Sequence, residues 1–467
     1  MNVLGKLQEL GYNPVPASNY DLINTWKQWY AGSVDKFHTY TVWNGTNRVD
    51  CHRYSVGMGK KVSEDWADLL LNEKVALTLS GEREQEFVDE VLRRNQFRVK
   101  GNEMQEKKAA LGTVAYVFRA TGATVNANGA IGGAADIKMD YCTAPAIVPL
   151  SWDNGVIREC AFVSSRNHAG ERYTYLQIHK LNGNVYDIEN RLYNESSEEV
   201  PLSTIPNMSG VPNVIHTNSD VAQFVIDKLN IANPVDDNPM GISVFASAID
   251  QLKGVDIAYD SYVNEFVLGK KRIMVKPEAT KDLNGRPVFD PNDTVYYVLP
   301  EDSENGILVE QVDMTLRTQE HNAGMQDMLN VLGSKCGFGE NHYKYDRGSV
   351  STATQIVSEN SSLFRTLKKH ELILRDVLVN ICRVILRMGN IYMNAGLDEE
   401  VDITVDFDDS IIEDTETKLQ SMKADVDSGY LRPEIYLAKK YGVTEEQALE
   451  MMPGMEDLTT EAQFEVE

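Results

Sequence analysis

The chain has 467 residues and carries 45 lysine and arginine side chains against 70 aspartate and glutamate side chains, a formal net charge of −25. Its 42% hydrophobic residues exclude an intrinsically disordered chain, and the length suggests roughly two to four structural units. Proteins that bind DNA or anionic membranes tightly use a basic surface. The acidity therefore disfavours tight non-specific binding to either, and leaves a transient relation to DNA open.

Cysteine usage and the N-terminus indicate the compartment. The five cysteines are scattered and form no C-x-x-C pair, which argues against a disulfide framework and a thiolate zinc site. Residues 1–11 lack the basic and apolar regions of a secretory signal. No run of about 18 uncharged apolar residues predicts a membrane span. We therefore expect a soluble protein made in a cytoplasm.

The first half mixes helical and strand signals, and the whole chain is predicted to be α+β. Apolar spacing predicts helices over 63–79, with Ser63 as N-cap, and over 84–94. Asn-Gly pairs beside β-branched and aromatic runs predict hairpins, most clearly over 173–193 around Asn182-Gly183.

After a Pro- and Asp-rich joint near 233–239, the pattern changes to long helices. An apolar stripe predicts one helix over about 241–268, roughly 40 Å long. A strand-rich insert over 273–313 follows, and a second helix over about 316–332 leads back, so that the two helices run antiparallel. A polar loop then precedes a very long helix over 352–394, which needs packing neighbours.

The last part of the chain, from 397, contains a strand-like segment over 401–407, a helix near 414–425 and a helical pair over 432–452. Most of the acidity lies in two pieces. Residues 398–467 carry 21 acidic and 5 basic side chains, and residues 276–314 carry 9 and 3. The remainder is close to neutral, with a balance of −3.

The sequence has no complete motif for a common enzymatic chemistry. Gly57 to Lys61 lacks the glycine spacing and the Ser/Thr of a P-loop, and neither H-E-x-x-H nor G-x-S-x-G occurs. The eight histidines form no metal-binding pair. The carboxylates between Asp402 and Glu416 are a candidate divalent-metal site, but a solvated face with helix N-terminal charge explains them better. We therefore expect no metal, no cofactor and no catalytic residue.

A basic bias stands out against this acidic background. The loop over 340–351 holds His342, Lys344 and Arg347 with two tyrosines between them. Interleaved cations and aromatic rings in a flexible loop suit brief contact with nucleic acid, and a solvated polar turn explains them equally well. The cations along the following helix are better explained as its solvated face.

The order of these segments resembles a known family, the portal proteins of tailed double-stranded DNA bacteriophages, of the siphophage type found in phages of Gram-positive bacteria. The stretches that carry the resemblance span nearly the whole chain. They are Trp26-x-x-Trp29-Tyr30-x-Gly32, the helix Trp66 to Leu77, Tyr173 to Tyr193, Pro239 to Ile273, Ser351 to Thr366 and Tyr430 to Glu446.

The resemblance implies the portal fold and its division of the chain. The implied parts are an α/β wing (1–240), a stem helix (241–269), a β-rich clip (270–314), a second stem helix (315–336), a tunnel loop (337–351), a long wing helix (352–396) and a helical crown (397–467). It also implies a ring of usually twelve subunits at one capsid vertex of the virion, assembled in the host cytoplasm. The implied partners are the terminase large subunit, a head–tail adaptor, the major capsid and scaffolding proteins, and double-stranded DNA in the channel.

Two sets of site residues follow as hypotheses. His342, Lys344 and Arg347 of the tunnel loop are expected to contact DNA briefly, because a mostly acidic channel avoids the strong phosphate binding that would stall a sliding polyanion. The acidic clip is expected to dock partners through four carboxylates, Asp293, Glu301, Asp302 and Glu304. Two alternatives stay open: another viral structural protein, such as a minor capsid or scaffold subunit, and a metal-dependent hydrolase using the carboxylates over 406–414.

Overall fold

A computed structural model describes the protein over residues 2–43, 45–72, 75–125, 131–134, 136–269, 272–275, 296–298, 309–312, 315–344, 353–407, 415–441 and 443–452. The chain divides into two compact units. The first unit comprises Met1–Gly348 and Arg365–Phe407, and the second comprises Ser349–Phe364 and Asp408–Glu467.

The first unit opens with helices and a hairpin and continues into sheets. In chain order its elements up to residue 228 are α1 (Val3–Glu9), α2 (Ala17–Ala31), β1 (Thr39–Trp43), β2 (Arg48–His52), α3 (Met58–Leu70), β3 (Ala76–Leu79), α4 (Glu82–Arg94), α5 (Phe97–Leu111), β4 (Thr113–Thr121), β5 (Thr124–Val125), β6 (Ile131–Gly133), β7 (Asp136–Thr143), β8 (Ile147–Asp153), β9 (Val156–His168), β10 (Glu171–Asn182), β11 (Val185–Tyr193), β12 (Glu199–Val200), β13 (Val214–His216) and β14 (Phe224–Lys228).

The rest of the chain is mostly helical apart from a short β insert and one late strand. The elements are α6 (Ile249–Leu268), β15 (Arg272–Val275), β16 (Tyr296–Val298), β17 (Val309–Val312), α7 (Thr318–Lys335), α8 (Ala353–Met393), β18 (Ile403–Asp406), α9 (Thr415–Asp427), α10 (Pro433–Tyr441) and α11 (Glu445–Glu450). The last three helices lie in the second unit, whereas α8 begins there and continues into the first unit.

The largest sheet has six antiparallel strands in the order β12-β11-β10-β9-β8, with β13 paired to β11. The predicted hairpin over 173–193 is confirmed: Asn182 lies opposite Val185, and Gly183, with a φ of 66°, and Asn184 form the two-residue turn between them. A second sheet has the order β14-β4-β7. The core between strands and helices is apolar, with Leu7, Leu176 and Ile178 fully buried, each contributing roughly 1.5–3 kcal/mol.

A buried ion pair joins α5 to the second sheet. Lys108 of α5 places its Nζ 3.0 Å and 3.2 Å from the two carboxylate oxygens of Asp227 in β14, and both side chains are almost fully inaccessible. Gln105 donates to the same carboxylate at 2.9 Å. Burial lowers the pKa of Lys108, and the charge of Asp227 opposes that shift. Asp227 therefore compensates the buried ammonium group.

The predicted helix over 63–79 is wrong at both ends. The helix runs from Met58 to Leu70 with Gly57 at its N-cap, and Ser63 lies inside it, where its hydroxyl donates to the carbonyl of Gly59. Residues Ala76–Leu79 form a strand instead, because they pair with β18, more than 300 residues later in the chain.

Residues 397–407, which the resemblance assigns to the crown, belong to the first unit.

The long helix predicted from 241 begins only at Ile249. Gly241 packs against Gly112 so closely that a Cβ on Gly241 would lie 2.3 Å from the carbonyl oxygen of Gly112. The amide of Gly241 donates to the Thr113 hydroxyl, and that of Val244 donates to the carbonyl of Ala109. These contacts hold residues 241–244 against the end of α5 in a non-helical conformation, so the helix starts only after them.

Other predicted elements are confirmed by the structure. The helix expected over 352–394 is α8, the three strands expected in the insert are β15, β16 and β17, and the helices expected near 414–425 and 432–452 are α9, α10 and α11. The insert's strands form a sheet in the order β16-β15-β17. Mixed helices and sheets confirm the α+β class.

Candidate functional site: the paired helices and the segment after them

Helices α6 and α7 run antiparallel along each other, as the sequence predicts. A Cβ on Gly254 would lie 3.2 Å from the Met328 sulfur, so the glycine permits close approach at one end. Toward the other end, the rings of Tyr262 and His321 lie 5.6 Å apart. Residues later in α6 therefore face residues earlier in α7, so the two helices are antiparallel. The β insert connects the C-terminal end of α6 to the N-terminal end of α7.

An ion pair closes this end of the helix pair. Glu265 accepts from the Arg317 guanidinium at 3.0 Å and 2.9 Å, and His321 Nε2 lies 3.5 Å from the same carboxylate. Hydrogen bonding from Arg317 lowers the pKa of Glu265 from its ordinary value of 4.5 to about 2. The bidentate geometry holds the start of α7 against the end of α6.

We expect Glu265→Gln to loosen this junction at neutral pH, seen as a lower thermal unfolding midpoint and faster amide exchange at Arg317. Because the folded-state pKa is depressed, the stabilisation is complete above pH 4.5 and is lost as the pH falls toward 2. The difference between wild type and variant should shrink over that range. Asp250→Asn on the same helix is the control, since Asp250 is 84% exposed. A pH-independent difference would contradict the assignment.

The middle of α6 is held by residues that flank the β1–β2 hairpin on both sides. His38 is buried, and its Nε2 lies 2.9 Å from Asp256 Oδ2. The amide of Val34 donates to His38 Nδ1, which places the ring proton on Nε2 and directs it to Asp256. Asp256 also accepts from the amide of Val56 at 2.8 Å, and Asp260 accepts from the amide of Tyr54 at 3.1 Å.

The segment after α7 packs tightly along 336–343. Trp66 of α3 is fully buried and donates from Nε1 to the carbonyl of Cys336 at 3.0 Å, while its ring lies 4.9 Å from that of Phe338. Gly337 has a φ of +89°, and a Cβ there would lie 2.8 Å from the Thr366 methyl group. The first half of the predicted tunnel loop is thus anchored on the helices around it.

Asp65 organises the side chains at the end of this segment. It accepts from the Tyr343 hydroxyl at 3.0 Å, and His342 Nε2 lies 3.6 Å away, with the imidazole stacked on Phe338. Burial acts to raise the pKa of Asp65, but hydrogen bonds from His342, Lys61 and Tyr343 outweigh it and leave that pKa below its ordinary value. The carboxylate therefore stays ionised and holds His342.

The structure places two of the three predicted DNA-contacting residues. His342 faces Asp65 with its side chain 30% exposed, and Lys344 is exposed at the end of the described segment. Arg347 lies outside the described residues, as do the four clip carboxylates, which are Asp293, Glu301, Asp302 and Glu304. Asp65, Asp256 and Asp260 were missed by the sequence reasoning, because their partners are 200 or more residues away along the chain.

The described part of the chain lacks both a metal-ligand cluster and a membrane-spanning helix. No group of three or more histidine, cysteine, aspartate or glutamate side chains there is arranged to hold a metal ion. Of the carboxylates named as a candidate metal site, Asp402 and Asp406 are exposed, and those over 408–414, which the hydrolase alternative would also use, lie outside the described residues. None of the helices described is both long enough and apolar enough to span a membrane.

Comparison with known proteins bears on the whole chain. No curated protein matches it. The family model described as phage portal protein, SPP1 Gp6-like, matches residues 16–459, which include the helix pair, its β insert and the segment after it. A match over nearly the whole length shows the family, and the chain therefore belongs to the SPP1 Gp6-like phage portal proteins.

Proposed function

We propose that copies of this chain, usually twelve in its family, form a ring around a channel through which double-stranded DNA is packaged and ejected. The observation that carries the proposal is the antiparallel pair α6 and α7, joined by a three-stranded insert, in a chain that matches the portal family. Such a pair suits the wall of a channel, because rigid helices hold a fixed diameter while the insert projects from one end.

Uncovered apolar side chains on these two helices support contacts between copies. Ile257, Phe266 and Val267 of α6 are 46–48% exposed, and Met328 and Val331 of α7 are 44% and 49% exposed. Apolar residues left exposed on helices mark interaction surfaces. In a ring, the neighbouring copies on either side would cover these side chains.

We assign the other segments by the family plan. The proposed stem is 241–269 with 315–336, in which the α-helix proper begins at Ile249, and the proposed clip is 270–314. The wing comprises 1–240 and the long helix over 352–396. We place the crown after Phe407, since β18 pairs with β3 inside the wing residues.

The tunnel loop over 337–351 is proposed to contact DNA through His342, Lys344 and Arg347. Anchoring of 336–343 on Trp66 and Asp65 supports a fixed base from which the remainder of the loop reaches the channel. Cations that touch phosphate without a continuous basic surface keep binding weak enough for DNA to slide.

The proposed clip docks the terminase large subunit during packaging and a head–tail adaptor afterwards. We expect the triple variant Glu301→Lys, Asp302→Lys, Glu304→Lys to weaken both interactions and to make the residual binding less sensitive to salt, because it replaces three carboxylates in an acidic segment. Biolayer interferometry between rings and purified partners at two salt concentrations measures this. Glu456→Lys, Asp457→Lys, Glu461→Lys is the matched control in the proposed crown. Unchanged affinity of the clip variant would refute the docking role.

The ring is a structural component of the capsid vertex in the virion. During assembly it lies in the host cytoplasm and contacts the major capsid and scaffolding proteins. Portal proteins are a structural family, and the proposed ATPase is the docked terminase. Negative-stain microscopy and light scattering of the purified protein test the proposal. A toothed ring with a central channel is expected, with no turnover of ATP or DNA in Mg²⁺ or Mn²⁺. A monomer that hydrolyses either substrate would overturn it.

A further inference from the structure

The hairpin formed by β1 and β2 presents an uncovered apolar face. Val42 lies directly opposite Val49 in the register, and Tyr40 lies opposite Cys51 on the same face, because alternate residues of a strand share a side. Val42 and Val49 are 46% and 42% exposed, and Trp43, on the opposite face of β1, is 63% exposed. Paired valines half exposed to water carry a hydrophobic cost.

This hairpin forms a sheet of its own. Within the described residues, β1 and β2 pair only with each other. A two-stranded sheet is marginally stable in water unless its apolar face packs against something else. The face therefore needs a cover that the described part of the chain does not supply.

The residues on either side of the hairpin fix it to α6. The Arg53 guanidinium lies over the rings of Phe37 and Tyr40, at 4.4 Å and 4.8 Å, and the Arg53 amide donates to the carbonyl of His38. These flanking residues contact α6 through the hydrogen bonds of His38 with Asp256 and of Tyr54 with Asp260. The position of the apolar face is thus set by the helix on which the hairpin stands.

A second copy of the chain is the occupant that fits this placement. Ile257, which is 46% exposed, follows Asp256 directly and precedes Asp260 by less than one turn. The hairpin is therefore held beside Ile257, one of the exposed apolar residues of α6 that pack between copies in the proposed ring. We propose that the β1–β2 hairpin is an arm that packs its Val42–Val49 face onto the adjacent copy. This inference rests on the proposed ring.

The test is a photo-cross-link from the arm in the full-length protein. The photoreactive residue p-benzoylphenylalanine is placed at position 42, on the proposed contact face, and in a control at position 99, where Val99 of α5 is 62% exposed. We expect irradiated rings to give covalent dimers and higher oligomers from position 42, well above the yield at position 99. The same protein diluted to monomers should give none. Rings without this cross-link would overturn the arm alone, whereas protein that stays monomeric would overturn the ring and the arm with it.

A second variant measures how much the arm contributes. Val42→Ser with Val49→Ser should raise the protein concentration needed for ring formation at least roughly tenfold, since two apolar side chains lose their cover. The thermal unfolding midpoint of the monomer should be unchanged, because both side chains are already exposed there. Ring formation at the wild-type concentration would overturn the proposal.

Discussion

Asp227→Ala should destabilise the first unit by roughly 3–5 kcal/mol, because it leaves the buried ammonium group of Lys108 without a counter-charge. It also removes the acceptor that Gln105 uses. All five tryptophans lie in the first unit, so urea unfolding followed by tryptophan fluorescence reports on this unit. The loss should appear as a lower midpoint with an unchanged slope.

Two controls separate the charge effect from a packing effect. Lys108→Met combined with Asp227→Asn removes both charges and keeps an acceptor for Gln105, so much of the lost stability should return. Breaking the exposed pair of Lys253 and Asp250 should cost about 0–1 kcal/mol. A loss below about 1 kcal/mol for Asp227→Ala would contradict the role of the pair.

The same variant should acquire a characteristic pH dependence. Burial already lowers the pKa of Lys108, and removing Asp227 takes away the charge that opposes this shift. In the variant the unfolded chain therefore binds the lysine proton more tightly than the folded chain does. Its stability should rise with increasing pH relative to wild type.

Trp66→Ala should cost roughly 3–5 kcal/mol and release the segment over 336–343. The side chain is fully buried against Phe338 and His370, with both ring separations at 4.9 Å, and its indole donates to the carbonyl of Cys336. Its removal leaves a cavity under the base of the proposed tunnel loop. Hydrogen exchange should show the amide of Phe338, which is bonded to the carbonyl of Gly333, losing protection.

Two other tryptophan substitutions serve as controls for Trp66→Ala. Trp66→Phe keeps most of the volume and loses the hydrogen bond, so about 1 kcal/mol should be lost and the segment should stay protected. Trp43→Ala, at an exposed position, should leave the stability of the monomer unchanged. Equal protection of Phe338 in Trp66→Ala and wild type would show that Trp66 does not anchor the segment.

Local patterns predicted many elements of this protein because the signal lies within one element. The Asn182-Gly183 hairpin, the helices α7 and α8 and the strands of the insert all carry their own periodicity or turn residues. Errors arose where a distant partner decided the outcome. Ala76–Leu79 became a strand by pairing with β18, and the start of α6 moved to Ile249 because Gly241 packs on Gly112.

The sequence by itself determined the class of the chain, its acidic distribution and the order of helix pair, insert and long helix, which together carry the family resemblance. Only the tertiary structure decided which polar groups meet: His38 with Asp256, Asp65 with Tyr343, and Lys108 with Asp227. Periodicity records which face of an element is apolar, but it does not record which element covers that face. Pairings across 100 to 300 residues depend on how the covered faces pack, so they emerge only when the core is assembled.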